Sequence, residues 1–213
     1  VLMMVSMHLF SQEQDYMSKN VIGDWEDGTN WEGSNSPNYP ETTWNAQIDI
    51  NGKITRHGDL TLGDRIFNDG RLAIHDTLIV EGDLTIPLES VLEVTSGGVL
   101  IVEQNLNMYG LIIWGGDGIN QGDIIVKQDL NAYEGSNFYT EQDANTYVEG
   151  DTNGEGNIDG TIKDENDLAN ENPDLYNEAH GCATKPNITL STSSASGCAG
   201  GSASFPYTNA ENN

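Results

Sequence analysis

The chain has 213 residues and carries 34 aspartates and glutamates against 8 lysines and arginines, for a formal net charge of −26. A field of this sign repels nucleic acid and anionic membrane surfaces, so both are poor candidates as partners. No run of 18 or more apolar residues occurs, which predicts no membrane insertion, while the length allows one solenoid with a sizeable core and a small further unit.

The N-terminus is an apolar run, VLMMVSMHLF at residues 1–10, followed by polar sequence. A run of this length is typical of the hydrophobic region of a signal peptide, with Ser11-Gln12 as an acceptable cleavage junction. Residues 1–12 are therefore interpreted as a possible signal-peptide remnant. A buried first strand of the mature protein is the alternative.

Residues 20–50 form a segment rich in glycine, proline and asparagine that holds three tryptophans, Trp25, Trp31 and Trp44. If the strands that follow build a solenoid, its open end exposes apolar core and unpaired strand edges, which need a cover. We expect this segment to be that N-terminal cap. Because aromatic rings also stack on sugars, a carbohydrate site is the alternative.

One eleven-residue phrase occurs four times after the cap, starting at residues 52, 76, 98 and 122. The copies are GKITRHGDLTL, DTLIVEGDLTI, GVLIVEQNLNM and GDIIVKQDLNA. Their spacing of 22 to 24 residues lies in the range of solenoid repeats. Alternating apolar places within each copy predict two short strands around a polar bend, and a third strand precedes each later copy.

Three strands per repeat predict one coil of a right-handed parallel β-helix over residues 48–165. A two-sheet sandwich is less favoured, because its strands would not repeat their sequence at constant spacing. In a parallel β-helix, equivalent residues stack in columns about 4.8 Å apart.

Two columns of the predicted solenoid have distinctive side chains. The first contains Asp59, Asp83, Asn105 and Asp129, which we interpret as a ladder of corner residues bonded to neighbouring backbone rather than as a row that grips cations or a sugar. The second contains Ile79, Ile101 and Ile125, expected on the outer surface as an apolar stripe. We predict that residues 1–10, the tail after residue 177 or a partner chain covers this stripe.

Residues 151–162, DTNGEGNIDGTI, partly match a calcium loop of the EF-hand type. Asp151, Glu155 and Asp159 occupy ligand places, but Ile162 stands where a bidentate glutamate is needed. We therefore predict no tight calcium site and no cofactor, with these three carboxylates as weak cation candidates. Ile158 and Ile162 are interpreted as inward residues of a last, degraded coil.

The remaining chain changes in composition. Residues 166–185 are expected to form an acidic and polar linker, and residues 186–213 to start a further β unit with too little core to fold alone. Cys182 and Cys198 lie here, and a disulfide between them is predicted if the protein is exported.

No catalytic constellation is found in the sequence. The four histidines are scattered, nucleophile and phosphate-binding motifs are absent, and Lys and Arg are sparse in the repeats. His57, near Asp59 in one corner, is interpreted as part of a surface turn rather than as a base. We expect no enzyme activity.

The sequence also resembles a family. GDWEDGTNW, WNAQIDING, LIVEGDL, LIVEQNL and residues 147–177 resemble the N-terminal β-helical region of large secreted surface proteins of Bacteroidetes, including adhesins of the gliding-motility type. Residues 186–210 are similar to the first strands of the immunoglobulin-like repeats that follow in such adhesins. The resemblance covers roughly residues 20–177 and implies export by the type IX secretion route.

These observations together predict a non-catalytic secreted or cell-surface β-helix that acts as a stalk, spacer or binding module of a larger adhesin. Its receptor, carbohydrate or protein, is not identified by the sequence. A carbohydrate-active β-helix and a self-assembling extracellular fibre subunit are the alternatives. Self-association and continuation into tandem repeats are both compatible with this reading.

Overall fold

The computed structural model describes residues 14–37, 46–62, 70–109 and 117–181. It contains nineteen short strands, two short α-helices and two 3-10 helices, Gly28–Asn30 and Glu32–Ser34, in the described residues. In chain order the strands are β1 Gln14–Met17, β2 Ile22–Asp24, β3 Ala46–Ile50, β4 Lys53–Arg56, β5 Leu60–Thr61, β6 Arg71–Ile74, β7 Thr77–Val80, β8 Leu84–Ile86, β9 Val91–Val94, β10 Val99–Val102, β11 Leu106–Met108, β12 Asp117–Asn120, β13 Asp123–Val126, β14 Leu130–Ala132, β15 Asn137–Thr140, β16 Asn145–Val148, β17 Thr152–Asn153, β18 Asn157–Asp159 and β19 Ile162–Lys163. The helices are α1 Glu165–Glu171 and α2 Pro173–Ala179.

The strands form three parallel sheets that the chain visits in turn. The first sheet has the order β1-β3-β6-β9-β12-β15-β18, the second β19-β16-β13-β10-β7-β4-β2, and the third β17-β14-β11-β8-β5. Each strand inside a sheet pairs with its equivalents from the preceding and following coils, so the fold is an all-β parallel β-helix, as the sequence predicted.

The register reproduces the sequence repeat. Leu78 pairs with Leu100 and Leu100 with Ile124 in the second sheet, and Leu84 pairs with Leu106 in the third. Because side chains alternate between faces along a strand, a slip of one residue would turn every core residue outward. The spacing of the repeats therefore fixes which side chains enter the core.

The core is a continuous column of aliphatic side chains inside the coils. Leu78, Leu100 and Ile124 are each fully buried, and so are Leu84 and Leu106. Truncating one such leucine to alanine typically costs about 2 to 5 kcal/mol. The predicted inward residues of the last coil, Ile158 and Ile162, also pack against this core.

The first coil begins earlier than the expected boundary at residue 48. β1 pairs with β3, so the first sheet starts at Gln14, and β2 pairs with β4 inside the segment expected to be only a cap. Trp25 and Trp31 belong to the same core, with 1% and 0% of their surface exposed.

The two tryptophans are held by each other and by backbone. Their rings meet edge to face, with centroids 5.0 Å apart and planes at 74°. Trp31 Nε1 donates to the Trp25 carbonyl at 2.9 Å, and Trp25 Nε1 donates to the Pro37 carbonyl at 3.0 Å. With both ring faces buried and both N–H groups satisfied, neither ring is available to stack on a sugar.

Among the described residues, Glu165 to Gly181 belong to a second compact unit. Much of the segment expected to be a linker is helical there. Asn172 caps α2 by accepting from Leu175 N at 3.2 Å, and Pro173 occupies the first turn, an arrangement that favours helix initiation. Within this unit the Tyr176 hydroxyl donates to Glu165 Oε1 at 2.9 Å, and its ring stacks on His180.

Neither of the two helices is long and apolar enough to cross a membrane, within the residues that the structure describes.

Candidate functional site

The corner column is a hydrogen-bonded ladder. Asp59 Oδ1 accepts from Asp83 N at 3.0 Å, Asp83 Oδ1 from Asn105 N at 2.9 Å, Asn105 Oδ1 from Asp129 N at 3.1 Å, and Asp129 Oδ1 from Asp151 N at 2.9 Å. The predicted turn ladder is thereby confirmed. Each side chain binds the backbone of the next coil, so the repeated acid or amide joins coils rather than presenting a row of carboxylates to a ligand.

An amide interrupts the charge in this ladder. Asn105 Nδ2 donates to Asp83 Oδ1 at 2.9 Å, in addition to the bond made by its backbone N–H. A carboxylate in its place would bring a further negative charge next to Asp83 and Asp129 in the same column. The amide therefore keeps the coil-to-coil bond and reduces repulsion.

Two of the basic residues in the described part of the chain also bond from coil to coil. Lys127 Nζ lies 2.6 Å from Glu103 Oε2 on the preceding coil. Arg71 Nε donates to Glu93 Oε2 at 3.1 Å on the following coil. These pairs neutralise carboxylates on adjacent coils, which accounts for the placement of cations in a chain with so few of them.

An open groove of about 530 Å³ lies beside the first coil, lined by Asp24, Glu26, Asp27, Arg56 and His57. Arg56 pairs in register with the inward residue Val80, yet its guanidinium binds the Glu26 carboxylate, and its Nε donates to the Asp59 carbonyl at 3.1 Å. The first copy of the repeat therefore carries a paired arginine where the second copy has an apolar residue.

His57 bridges two carboxylates in this groove. Its Nε2 lies 3.2 Å from Asp24 Oδ1 on β2, and its Nδ1 lies 2.9 Å from Glu81 Oε2, which follows β7. The hydrogen bond to Glu81, followed by that to Asp24, raises the pKa of His57 above its ordinary value of 6.5. With both ring nitrogens engaged, this imidazole is suited to clamping neighbouring coils in its protonated form.

The three weak cation candidates lie on the last coil, and each is exposed. Among the described residues, no three histidine, cysteine, aspartate or glutamate side chains lie together as a possible metal site, so Asp151, Glu155 and Asp159 are not brought together. A Cβ on Gly156 would lie 2.3 Å from Ser136 Oγ. Coil packing therefore accounts for the glycine that resembles the sixth place of a calcium loop.

The isoleucine column is covered over much of its length. Ile101 and Ile125 have 1% and 0% of their surface exposed, and Ile79 is partly exposed. The three pair in register, as expected. Which segment covers them stays a prediction.

Several sequence predictions fall outside the described residues. These are the signal-peptide remnant at 1–12, Trp44, the disulfide between Cys182 and Cys198, and the further β unit at 186–213.

One surface was missed by the sequence reasoning. The outward column of the third sheet consists of Thr61, Thr85, Asn107, Asn131 and Asn153. Beside it Tyr109 and Tyr133 stack face to face, with centroids 4.2 Å apart and planes at 6°. The signal available was the tripeptide Asn-X-Tyr, which occurs one coil apart at 107–109 and 131–133 and also at 137–139 and 145–147.

Comparison of the chain with protein-family profiles, curated proteins and solved structures finds no match.

The asparagines of this outward column are bonded to one another. Asn131 Nδ2 donates to Asn107 Oδ1 at 3.0 Å, and Asn153 Nδ2 donates to Asn131 Oδ1 at 3.3 Å. A primary amide has two N–H groups and two acceptor lone pairs, so the ladder uses half of the capacity of Asn131. Asn131 is partly buried, and the two stacked tyrosines beside the column are exposed.

Proposed function

We propose that this chain is a non-catalytic secreted or cell-surface β-helix that acts as a stalk, spacer or binding module of a larger adhesin. The observation that carries the proposal is the corner ladder from Asp59 to Asp151, in which the repeated polar side chains bond each coil to the next. Because its repeated motif joins the coils, the chain can hold its outer surfaces at a fixed spacing. Such a scaffold suits a mechanical spacer or a binding module.

Two further observations support a place outside the cell or on its surface. The net charge of −26 favours solubility of a displayed protein and opposes binding to nucleic acid or anionic lipid. The sequence resemblance to Bacteroidetes surface proteins implies the same location and the type IX secretion route.

Antibodies raised against the purified chain test the location. On intact cells that produce the protein, we expect surface labelling that brief external protease treatment removes, while a cytoplasmic enzyme used as a control stays intact. Signal confined to the cytoplasmic fraction would contradict the proposal. Sequencing the gene beyond Asn213 supplies an independent check, since tandem repeats there are expected of an adhesin.

The groove beside the first coil is the one observation that favours the carbohydrate-active alternative, because it combines carboxylates with Arg56 and His57. Against this alternative, Glu26 is paired with Arg56, and both nitrogens of His57 are engaged by carboxylates. Incubation with neutral and acidic polysaccharides, with detection of new reducing ends, separates the two functions. Product formation that His57→Gln abolishes would overturn the non-catalytic proposal.

The fibre-subunit alternative has its own test. Electron microscopy of the purified chain at several concentrations is expected to show single particles. Filaments that lengthen as the protein concentration rises would contradict the stalk or spacer role. They would indicate a self-assembling fibre subunit instead.

A further inference from the structure

The outward column of the third sheet is uncharged on a strongly acidic protein. Its members from β5 to β17 are threonines and asparagines only. Ionisable side chains occupy outward places on the other sheets, such as Asp49, Arg71 and Glu93 on the first and Lys53 and Asp123 on the second. A ligand that binds over this column therefore does not have to desolvate a charged side chain of the column.

The tyrosine stack adds an aromatic platform at one side of this column. Tyr109 and Tyr133 have 39% and 41% of their surface exposed. Tyr133 N donates to the Met108 carbonyl of the preceding coil at 2.9 Å. In the next coil the equivalent donor is Gly156 N, which donates to the Ala132 carbonyl at 2.9 Å. Because glycine has no side chain, that position places nothing over the second face of the Tyr133 ring.

From these features we infer that the third sheet binds a neutral polysaccharide, laid along the column across successive coils. Amides and hydroxyls repeated about every 4.8 Å supply donors and acceptors for sugar hydroxyls. The Tyr133 face supplies a stacking surface for a pyranose ring. Acidic polysaccharides are disfavoured by the field of the whole chain and by the exposed carboxylates of Glu134 and Glu155 beside the platform.

This inference rests on the proposed function, since it assigns the binding face and ligand class of the binding module. Experiments can disprove the binding inference and the proposed function independently of each other. A surface-displayed chain that binds no sugar leaves the stalk or spacer role intact, whereas a chain found only in the cytoplasm removes the adhesin role whatever it binds.

The test uses affinity electrophoresis of the intact chain in gels that contain one polysaccharide each. Mixed-linkage β-glucan, xylan and mannan are the neutral probes, and alginate and polygalacturonate are the acidic ones. We expect retardation by at least one neutral polymer and by neither acidic polymer. Tyr133→Ala is expected to weaken the interaction roughly three- to tenfold, the range that loss of one aromatic contact implies.

Tyr139→Ala is the matched control, because Tyr139 lies on β15 of the first sheet with a similar exposed fraction of 40%. It is expected to bind as the unmodified chain does. Asn153→Lys is the second test variant, since it places a long charged side chain at the exposed end of the column without removing the tyrosine stack. It is expected to abolish retardation while the circular dichroism melting curve stays that of a folded chain.

Three outcomes would overturn the inference. The first is no retardation by any neutral polymer, and the second is retardation that Tyr133→Ala and Asn153→Lys leave unchanged. The third is a concentration-dependent dimer in sedimentation that both variants abolish, which would assign the face to a second copy of the chain.

Discussion

At the residue scale, Asp83 is a corner side chain that serves two donors of the next coil, Asn105 N and Asn105 Nδ2, both at 2.9 Å. Asp83→Ala leaves both without an acceptor and is expected to lower the free energy of unfolding by about 1 to 3 kcal/mol. Asp83→Asn keeps an acceptor oxygen and is expected to recover most of the loss. Urea denaturation measures both, and equal losses in the two variants would show that the charge, not the ladder bond, matters.

A second residue-scale prediction concerns Asn120, a fully buried amide. Its Nδ2 donates to the Asn145 carbonyl at 2.7 Å and to Thr146 Oγ1 at 3.0 Å, and its Oδ1 accepts from Gly122 N at 3.0 Å. Asn120→Val leaves these groups without their hydrogen-bond partner and is expected to lower the free energy of unfolding by about 1 to 3 kcal/mol. A double-mutant cycle with Thr146→Val is expected to give a non-zero coupling energy, and strict additivity would argue that the pair does not interact.

At the element scale, His57 links β2 of the first coil to the residue that follows β7. Because its pKa is raised in the folded state, the stabilisation is fully present below the unfolded pKa of 6.5 and is lost as pH rises through the folded value. We expect the protection of first-coil amides against hydrogen exchange to fall as pH rises above 6.5, after correction for intrinsic rates. In His57→Gln this dependence is expected to disappear. Its persistence there would point to another titrating group.

A second element-scale prediction concerns the last coil. Gly154 has φ of 112°, and a Cβ there would lie 1.8 Å from the Ala132 carbonyl oxygen. Gly154→Ala is expected to displace β17 and β18, adding a steric clash to the roughly 1 to 2 kcal/mol of the left-handed conformation. Gly33→Ala is the control, because Gly33 also has positive φ but open space around its Cβ position. Limited proteolysis near residue 154 is expected to accelerate only in the first variant.

At the scale of the whole molecule, self-repulsion at a net charge of −26 opposes the folded state. Raising NaCl from about 10 mM to about 150 mM shortens the screening length from about 30 Å to about 8 Å, so the melting temperature is expected to rise. CaCl₂ at equal ionic strength is the control for site binding. A larger rise in calcium, lost in a variant with Asp151→Asn, would reveal a cation site on the last coil.

The coil follows from the local sequence pattern, because a strand pattern with period two, repeated every 22 to 24 residues, has one register in which every copy buries its apolar side chains. It also identified the corner ladder, since Asp83 and its equivalents recur at a polar bend where short side chains bond to backbone. Ile158 and Ile162 were placed inward for the same reason.

The surfaces, in contrast, depend on how the coils stack in three dimensions. That Asn107 and Asn131 bond across coils, that Tyr133 stacks on Tyr109, and that His57 joins Asp24 to Glu81 all depend on the positions of side chains 22 or more residues apart. A local pattern specifies which face a side chain occupies but not its neighbour across the coil. The repeated phrase is missing from the coil that starts at Gln14 and from the helices between Glu165 and Ala179. The spacing of the repeats therefore did not predict these elements.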